Sequence, residues 1–164
     1  MGIRILLADS HPAFLTTVSR FLQGQEDIEV VGQANAGPTA VDLTRQLQPD
    51  LVLMDVDASV LPGMDAVRQI HREQPSVRIL LWSMDPVPPR ARETVKAAAR
   101  GYLLKDCDPE MLLAAIRAVA KGGTYVSPEL DCRRQDDPRQ RTQRLAPNPR
   151  RGMIVDGRPG PDIG

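Results

Sequence analysis

PDLVLMDV, residues 49–56, places four consecutive apolar residues directly before an acid. A strand without alternation of polar and apolar positions is expected to be buried on both faces, as in a parallel sheet that helices cover on both sides. Pro49 ends the helical pattern that precedes it, and Asp55 stands at the carboxyl end of the apolar run. The stretch therefore predicts a buried central strand over residues 51–54 with a carboxylate at its end.

Similar apolar runs occur on both sides of this strand, separated by segments with helical spacing. Alternation of this kind over roughly the first 125 residues is typical of βα units and predicts an α/β fold with a parallel sheet. The other predicted strands are residues 3–8, 29–31, 77–82 and 102–104. The predicted helices cover residues 14–22, 37–47, 64–70, 90–99 and 109–119, the last of them capped by Asp108.

Composition indicates a soluble protein, because 41% of the 164 residues are hydrophobic and 26% are charged. No apolar run approaches the ~20 residues that a membrane span requires, and the first residues do not resemble a secretory signal. We therefore expect a cytoplasmic protein without a membrane partner. Cys107 and Cys132 lack metal-ligand spacing and are expected to be reduced thiols.

The last 34 residues differ from the rest. Residues 131–164 contain 8 Arg, 5 Pro and 4 Gly and have almost no apolar periodicity. Such a segment cannot bury enough apolar surface to offset ~1–2 kcal/mol of backbone entropy per ordered residue. We expect one folded domain over residues 1–130 and a largely disordered tail over residues 131–164.

Four polar side chains come at the ends of four predicted strands. They are Asp9, Asp55, Ser83 and Lys105. In an open parallel sheet the carboxyl ends of the strands share one edge, where ligands bind. Two carboxylates, a hydroxyl and an ammonium fit phosphoryl transfer, because a carboxylate can attack phosphorus while cations and hydrogen-bond donors hold the phosphoryl oxygens.

The chain resembles receiver domains of the NarL/LuxR (FixJ) type of response regulator over about residues 2–130. The motifs that carry the resemblance are IRILLADSHP (3–12), PDLVLMDV (49–56), GYLLKD (101–106), AAIRAVA (114–120) and YVSP (125–128). The resemblance implies a flavodoxin-like (βα)5 fold, which is a doubly wound five-stranded parallel sheet with strand order 2-1-3-4-5. It also implies a two-component signalling function.

The resemblance implies that Asp55 is the phosphoacceptor for a histidine kinase or a phosphotransfer protein. Ser83 matches the switch hydroxyl and Lys105 the lysine that contacts the phosphoryl group, while Tyr102 matches the aromatic residue that is coupled to the switch. Phosphorylation is then expected to change a protein-interaction surface around the helix over residues 90–99 and the strand that follows it.

The resemblance also implies a Mg²⁺ site formed by Asp9, Asp55 and the backbone carbonyl of Asp57. The family usually has a second acid directly after the first, whereas this chain has Ser10, a much weaker ligand for Mg²⁺. Weak Mg²⁺ binding and slow phosphorylation are therefore expected, unless the Asp57 carboxylate compensates. His11 invites a ligand role, but an exposed or capping role is the expectation.

Three functions are compatible with these residues. The first is a phosphoaccepting signalling domain that is not an enzyme beyond its own phosphorylation and dephosphorylation. The second is a pseudo-receiver that acts by phosphorylation-independent contacts, since Ser10 replaces an acid and Ser59 a proline in the loop after Asp55. The third is a haloacid-dehalogenase-type phosphatase, because DVDASV (55–60) resembles its nucleophile motif, although that family places the motif on its first strand.

The resemblance allows weak homodimers through the first and last helices or through the face of the helix over residues 90–99. Regulators of this type continue into a helix-turn-helix domain, for which residues 131–164 offer neither the length nor the periodicity. DNA binding through this chain is therefore not expected. A linker remnant and an out-of-frame translation are both compatible with the arginine-rich ending.

Overall fold

The structure, a computed structural model, describes residues 2–56, 60–85 and 96–126, without the side chains of residues 60–63. The strands within these ranges are β1 (Ile3–Ala8), β2 (Ile28–Ala34), β3 (Leu51–Asp55), β4 (Arg78–Ser83), β5 (Gly101–Leu104) and β6 (Tyr125–Val126). All pairings are parallel, and the order in the sheet is β2-β1-β3-β4-β5-β6. The predicted parallel α/β fold is confirmed.

The helices with described boundaries are α1 (Pro12–Gln23), α2 (Gly37–Leu47), α3 (Val60–Glu73) and α4 (Pro109–Ala120). Residues 96–98 are also helical, whereas residues 90–95 of the helix predicted over 90–99 lie outside the described residues. Asp108 occupies the N-cap position of α4 as predicted, but its side chain forms no capping hydrogen bond. Among the described residues, no helix combines the length and the apolar character needed to cross a bilayer.

The expectation of five strands is wrong, because the described part of the sheet contains a sixth. Tyr125 and Val126 extend the sheet beyond β5 by pairing with Gly101 and Tyr102. Two residues are too few to show any periodicity, so a strand of this length leaves no signal in the sequence. The predicted order 2-1-3-4-5 is correct for the other strands.

Both faces of the sheet are buried, which explains the continuous apolar runs. In β3, Val52 and Met54 belong to the core on one face, and Leu51 and Leu53 belong to the core on the other. Residues of α2 and α3 line the first core, and residues of α1 and α4 line the second. The sheet is therefore doubly wound, with its carboxyl edge left for polar groups.

The register of the strands aligns their carboxyl ends. Ala8 pairs with Met54, Asp55 with Trp82 and Ser83 with Leu104. The polar residues that end or follow these strands therefore emerge at one edge of the sheet. The backbone N–H of Lys105 also donates to the Ser83 carbonyl at 2.8 Å, which fixes the chain at the end of β5.

Replacing Gly101 with alanine is expected to destabilise the domain by about 1–3 kcal/mol through overpacking. A Cβ atom there would lie 2.6 Å from the Tyr125 carbonyl oxygen and 2.7 Å from Leu80 Cδ1. Gly24→Ala is the control, because a Cβ at Gly24 has its nearest neighbour at 3.4 Å and the backbone φ is −71°. Denaturant unfolding measures both variants, and equal stabilities would contradict the packing of β6 on β5.

Candidate functional site

The centre of the carboxyl edge is an ammonium shared by two carboxylates. Lys105 Nζ lies 2.8 Å from Asp9 Oδ2 and 3.1 Å from Asp55 Oδ1. The three side chains are nearly buried, with exposed fractions of 3% for Lys105, 0% for Asp9 and 9% for Asp55. Buried charges are costly unless they are paired, so this arrangement depends on all three groups. Two negative charges and one positive charge leave the group with a net negative charge that suits a cation.

Asp9 is held by the turn that connects β1 to α1. Its backbone N–H donates to the Ala34 carbonyl at 3.0 Å, which extends the pairing with β2 by one residue. Its Oδ1 accepts the backbone N–H of His11 at 2.9 Å, as short polar side chains do where a helix begins. His11 is the N-cap residue of α1, and Pro12 is the first helical residue. The start of α1 therefore fixes the orientation of the Asp9 carboxylate.

His11 is exposed, as expected, but its ring also contacts Asp9. His11 Nδ1 lies 3.0 Å from Asp9 Oδ1, although 64% of the His11 side chain is exposed. A ring nitrogen of His11 and one oxygen each from Asp9 and Asp55 all lie within 4.8 Å of one another. Ser10 is exposed, and its Oγ is 3.5 Å from His11 Nδ1. The predicted contribution of Asp57 lies outside the described residues.

Two aromatic rings surround the Lys105 ammonium, and sequence reasoning missed both. Lys105 Nζ is 5.1 Å from the centroid of the Phe14 ring and 5.8 Å from that of the Trp82 ring. The two rings are 4.8 Å apart. Cation–π contacts of this kind hold an ammonium in place. The available signal was an aromatic residue in the first turn of α1 and another directly before Ser83.

The second polar group at this edge joins β4 to β5. Ser83 Oγ donates to the Asp85 carbonyl and is hydrogen-bonded to the Tyr102 hydroxyl, which lies 3.2 Å from the same carbonyl. Ser83 is 2% exposed and Tyr102 is 3% exposed. The structure thus brings together the hydroxyl and the aromatic residue that the sequence predicted to be coupled.

Cys107 follows Lys105 in the chain and is half-buried. Burial raises the pKa of its thiol, and the neighbouring carboxylates of Asp106 and Asp108 raise it further. Since the thiolate is the nucleophilic form, a raised pKa lowers the thiolate fraction of Cys107 at neutral pH and with it the reactivity of this side chain. The chemistry of this edge therefore rests on the carboxylates, the lysine and the hydroxyls.

This fold and edge are those of a receiver domain, and comparison with known proteins agrees. The chain belongs to the response regulator receiver domain family, whose model matches residues 5–117. Receivers of this family are domains of two-component signalling rather than classical enzymes. Asp55 also ends the third strand, whereas haloacid-dehalogenase-type phosphatases have their nucleophile on the first strand.

The relatives place the chain among regulators of the NarL/LuxR type. It is 35% identical to the transcriptional regulatory protein MctR of Rhizobium johnstonii over 98% of this chain and 77% of MctR. It is 37% identical to the response regulator GacA of Pseudomonas aeruginosa over 78% of this chain and 60% of GacA. The nitrate/nitrite regulator NarL of Escherichia coli is 35% identical over 77% of this chain and 58% of NarL.

A solved structure supports the same placement. A LuxR-family two-component response regulator from Aurantimonas sp. is 30% identical, with a TM-score of 0.74 over 88% of this chain and 99% of that one. The predicted resemblance to NarL/LuxR-type receivers is confirmed. This chain spans only about three fifths of the length of GacA and of NarL.

Replacing Lys105 with methionine is expected to destabilise the domain by roughly 3 kcal/mol at neutral pH, because two buried carboxylates lose their common partner. The double variant Lys105→Met/Asp55→Asn should regain much of this loss, since it also removes one of the two negative charges. Lys96→Met, at an exposed lysine, is the control and should be nearly neutral. Denaturant unfolding tests all three, and a Lys105→Met variant as stable as the control would refute the shared ion pair.

Proposed function

We propose that Asp55 accepts a phosphoryl group from a sensor histidine kinase or a phosphotransfer protein in the cytoplasm, and that this changes a protein-interaction surface of the domain. The observation that carries the proposal is the position of Lys105 Nζ, 2.8 Å from Asp9 Oδ2 and 3.1 Å from Asp55 Oδ1. A lysine in this position offsets the charge of the acceptor before transfer and of the phosphoryl group after it.

In the proposed reaction, a carboxylate oxygen of Asp55 forms a bond to phosphorus while the P–N bond of the donor phosphohistidine breaks. The electron pair of that bond stays on the donor imidazole, which takes up a proton from water. Lys105 pairs with a phosphoryl oxygen, and Phe14 and Trp82 keep its ammonium at the edge of the sheet. Asp55 retains 9% exposure of its side chain, so the donor has a route to it.

The donor set fits a divalent cation, which would offset the negative charges of the carboxylates and of the phosphoryl group. Asp9 and Asp55 supply carboxylate oxygens, the ligands that Mg²⁺ prefers. Ser10 supplies a hydroxyl where an acid would bind more strongly, and the carbonyl of Asp57 is included in the proposed site from the family resemblance. We therefore propose a Mg²⁺ site of reduced affinity.

The proposed switch is the hydrogen-bonded group of Ser83, Tyr102 and the Asp85 carbonyl. A phosphoryl oxygen on Asp55 competes with the Asp85 carbonyl for the Ser83 hydroxyl proton, because charged acceptors form the stronger hydrogen bonds. Tyr102 then loses a partner, and it packs in the same core as Ala98 of the helical residues 96–98. The interaction surface is proposed around these residues and β5.

The proposed receiver domain covers residues 1–130, followed by a tail over residues 131–164. Weak homodimers through α1 and α4 are part of the proposal, since both helices cover the same face of the sheet. A pseudo-receiver that acts without phosphorylation is the second candidate, and the absence of an acid at Ser10 favours it. The next experiment separates the two.

Treatment with acetyl phosphate and Mg²⁺ is expected to add the mass of one phosphoryl group to the chain. Asp55→Asn should abolish the adduct, because an amide cannot attack phosphorus in this way. Asp65→Asn, at an exposed aspartate of α3, is the matched control and should be phosphorylated like the wild type. Intact-mass spectrometry measures the adduct, and an unmodified wild type at saturating Mg²⁺ would favour the pseudo-receiver.

Ser83→Ala and Tyr102→Phe are expected to separate phosphoryl binding from its effect on the surface. Both variants keep Asp55 and Lys105, so beryllofluoride with Mg²⁺ should still bind. The amide chemical-shift changes in β5 and residues 96–98 should be much smaller than in the wild type, because the hydroxyl that transmits the change is missing. Two-dimensional NMR tests this, and full-sized changes in Ser83→Ala would exclude the switch.

A further inference from the structure

We infer that His11 is a nitrogen ligand of the cation site and that it shifts the site's preference from Mg²⁺ towards later first-row transition metals such as Co²⁺. The inference rests on the proposed function, since it concerns the same cation site, but it adds a residue and a metal class that the proposed Mg²⁺ site does not include. Its starting point is the contact between His11 and Asp9 and the nearby position of Asp55.

The geometry places the imidazole beside both carboxylates. A ring nitrogen of His11 and oxygens of Asp9 and Asp55 lie within 4.8 Å of one another, a separation that one ion can bridge. Asp9 Oδ1 also accepts the backbone N–H of His11 at 2.9 Å and lies 3.0 Å from its Nδ1.

Ser10 and His11 together determine which donor atoms the site offers. Ser10 removes a carboxylate from the site, which weakens it most for Mg²⁺, an ion that depends on charged oxygen ligands. His11 adds a neutral nitrogen, which contributes little to Mg²⁺ binding but suits the later first-row transition metals. The affinity of such a site also rises along the series from Mn²⁺ to Cu²⁺. Two carboxylates and one imidazole form a mixed set that leaves further positions for water and phosphoryl oxygen.

Charge and access agree with this assignment. Lys105 already offsets one of the two carboxylate charges, so the site attracts Mg²⁺ less than an uncompensated acidic pair does. An ion that gains from a nitrogen bond is less dependent on the remaining charge. The His11 side chain is 64% exposed, so the ring can turn towards an ion that enters from solvent.

The test is a titration of the untagged full chain with Co²⁺ and with Mg²⁺. Binding is measured by calorimetry and by the fluorescence of Trp82, the only tryptophan of the chain. His11→Ala should lower the affinity for Co²⁺ by about tenfold or more, in the range known for disrupted metal sites, and leave that for Mg²⁺ nearly unchanged. His71→Ala is the matched control, since it removes the other histidine, an exposed residue of α3. Ser10→Asp should raise the Mg²⁺ affinity.

Pulsed EPR of the Co²⁺ complex at low temperature provides a direct second measurement, because a ligating imidazole couples its nitrogen nucleus to the metal. The coupling should be present in the wild type and in His71→Ala and absent in His11→Ala and His11→Gln. Missing nitrogen coupling in the wild type, or equal Co²⁺ affinities in His11→Ala and His71→Ala, overturns the inference.

Phosphorylation of Asp55 with Mg²⁺, followed by intact mass, separates failure of the inference from failure of the proposed function. If wild type and His11→Ala are both phosphorylated and bind Co²⁺ equally, the role of His11 is refuted and the phosphoacceptor function stands. If the wild type binds neither cation and takes no phosphoryl group, both are refuted.

Discussion

Lys105 occupies a position between two buried carboxylates on which the rest of the edge depends. Its ammonium is 2.8 Å from Asp9 Oδ2 and 3.1 Å from Asp55 Oδ1, and each of these side chains is nearly buried. Without the lysine, two like charges would face each other away from bulk water, which is unfavourable. The parallel sheet makes the arrangement available because it ends neighbouring strands at one edge, and Phe14 and Trp82 keep the ammonium there.

The edge has two halves with different chemistry, joined through the backbone. One half contains the acids and the lysine, and the other contains Ser83, Tyr102 and the Asp85 carbonyl. The Ser83 carbonyl accepts the Lys105 N–H at 2.8 Å, so a single hydrogen bond connects the strand end that carries the hydroxyl to the one that carries the ammonium. A charge added to Asp55 acts on Lys105, whose backbone N–H is bonded to the Ser83 carbonyl, and the proposed coupling of chemistry to a surface relies on this connection.

Ser10 distinguishes this receiver from the pattern that it otherwise follows. A hydroxyl stands where the resemblance implies a second acid, and the next residue brings an imidazole to 3.0 Å from Asp9.

The similarity to MctR covers 98% of the chain and therefore extends beyond residue 130, whereas the family model matches residues 5–117. Within the range that the family model matches, the structure describes all residues except 57–59 and 86–95.

The amino-acid sequence alone was sufficient to predict the parallel α/β fold and the position of three charged groups at the carboxyl edge of the sheet. Residues 51–54 predict a doubly buried strand because they contain no polar position, and parallel strands bring Asp9, Asp55 and Lys105 to the same edge whatever the details of packing. The roles of Ser83 and Tyr102 came from the family resemblance, and their hydrogen-bond contact is visible in the structure.

Only the tertiary structure decided β6, the rings of Phe14 and Trp82 around Lys105, and the contact of His11 with Asp9. The first is a two-residue pairing, and the others depend on side-chain rotamers and on how α1 meets the sheet. Periodicity in a sequence reports which face of an element is buried, because that follows from backbone geometry. Contacts at the end of an element depend instead on distances of a few ångströms between separate segments, and these exist only after the chain has packed.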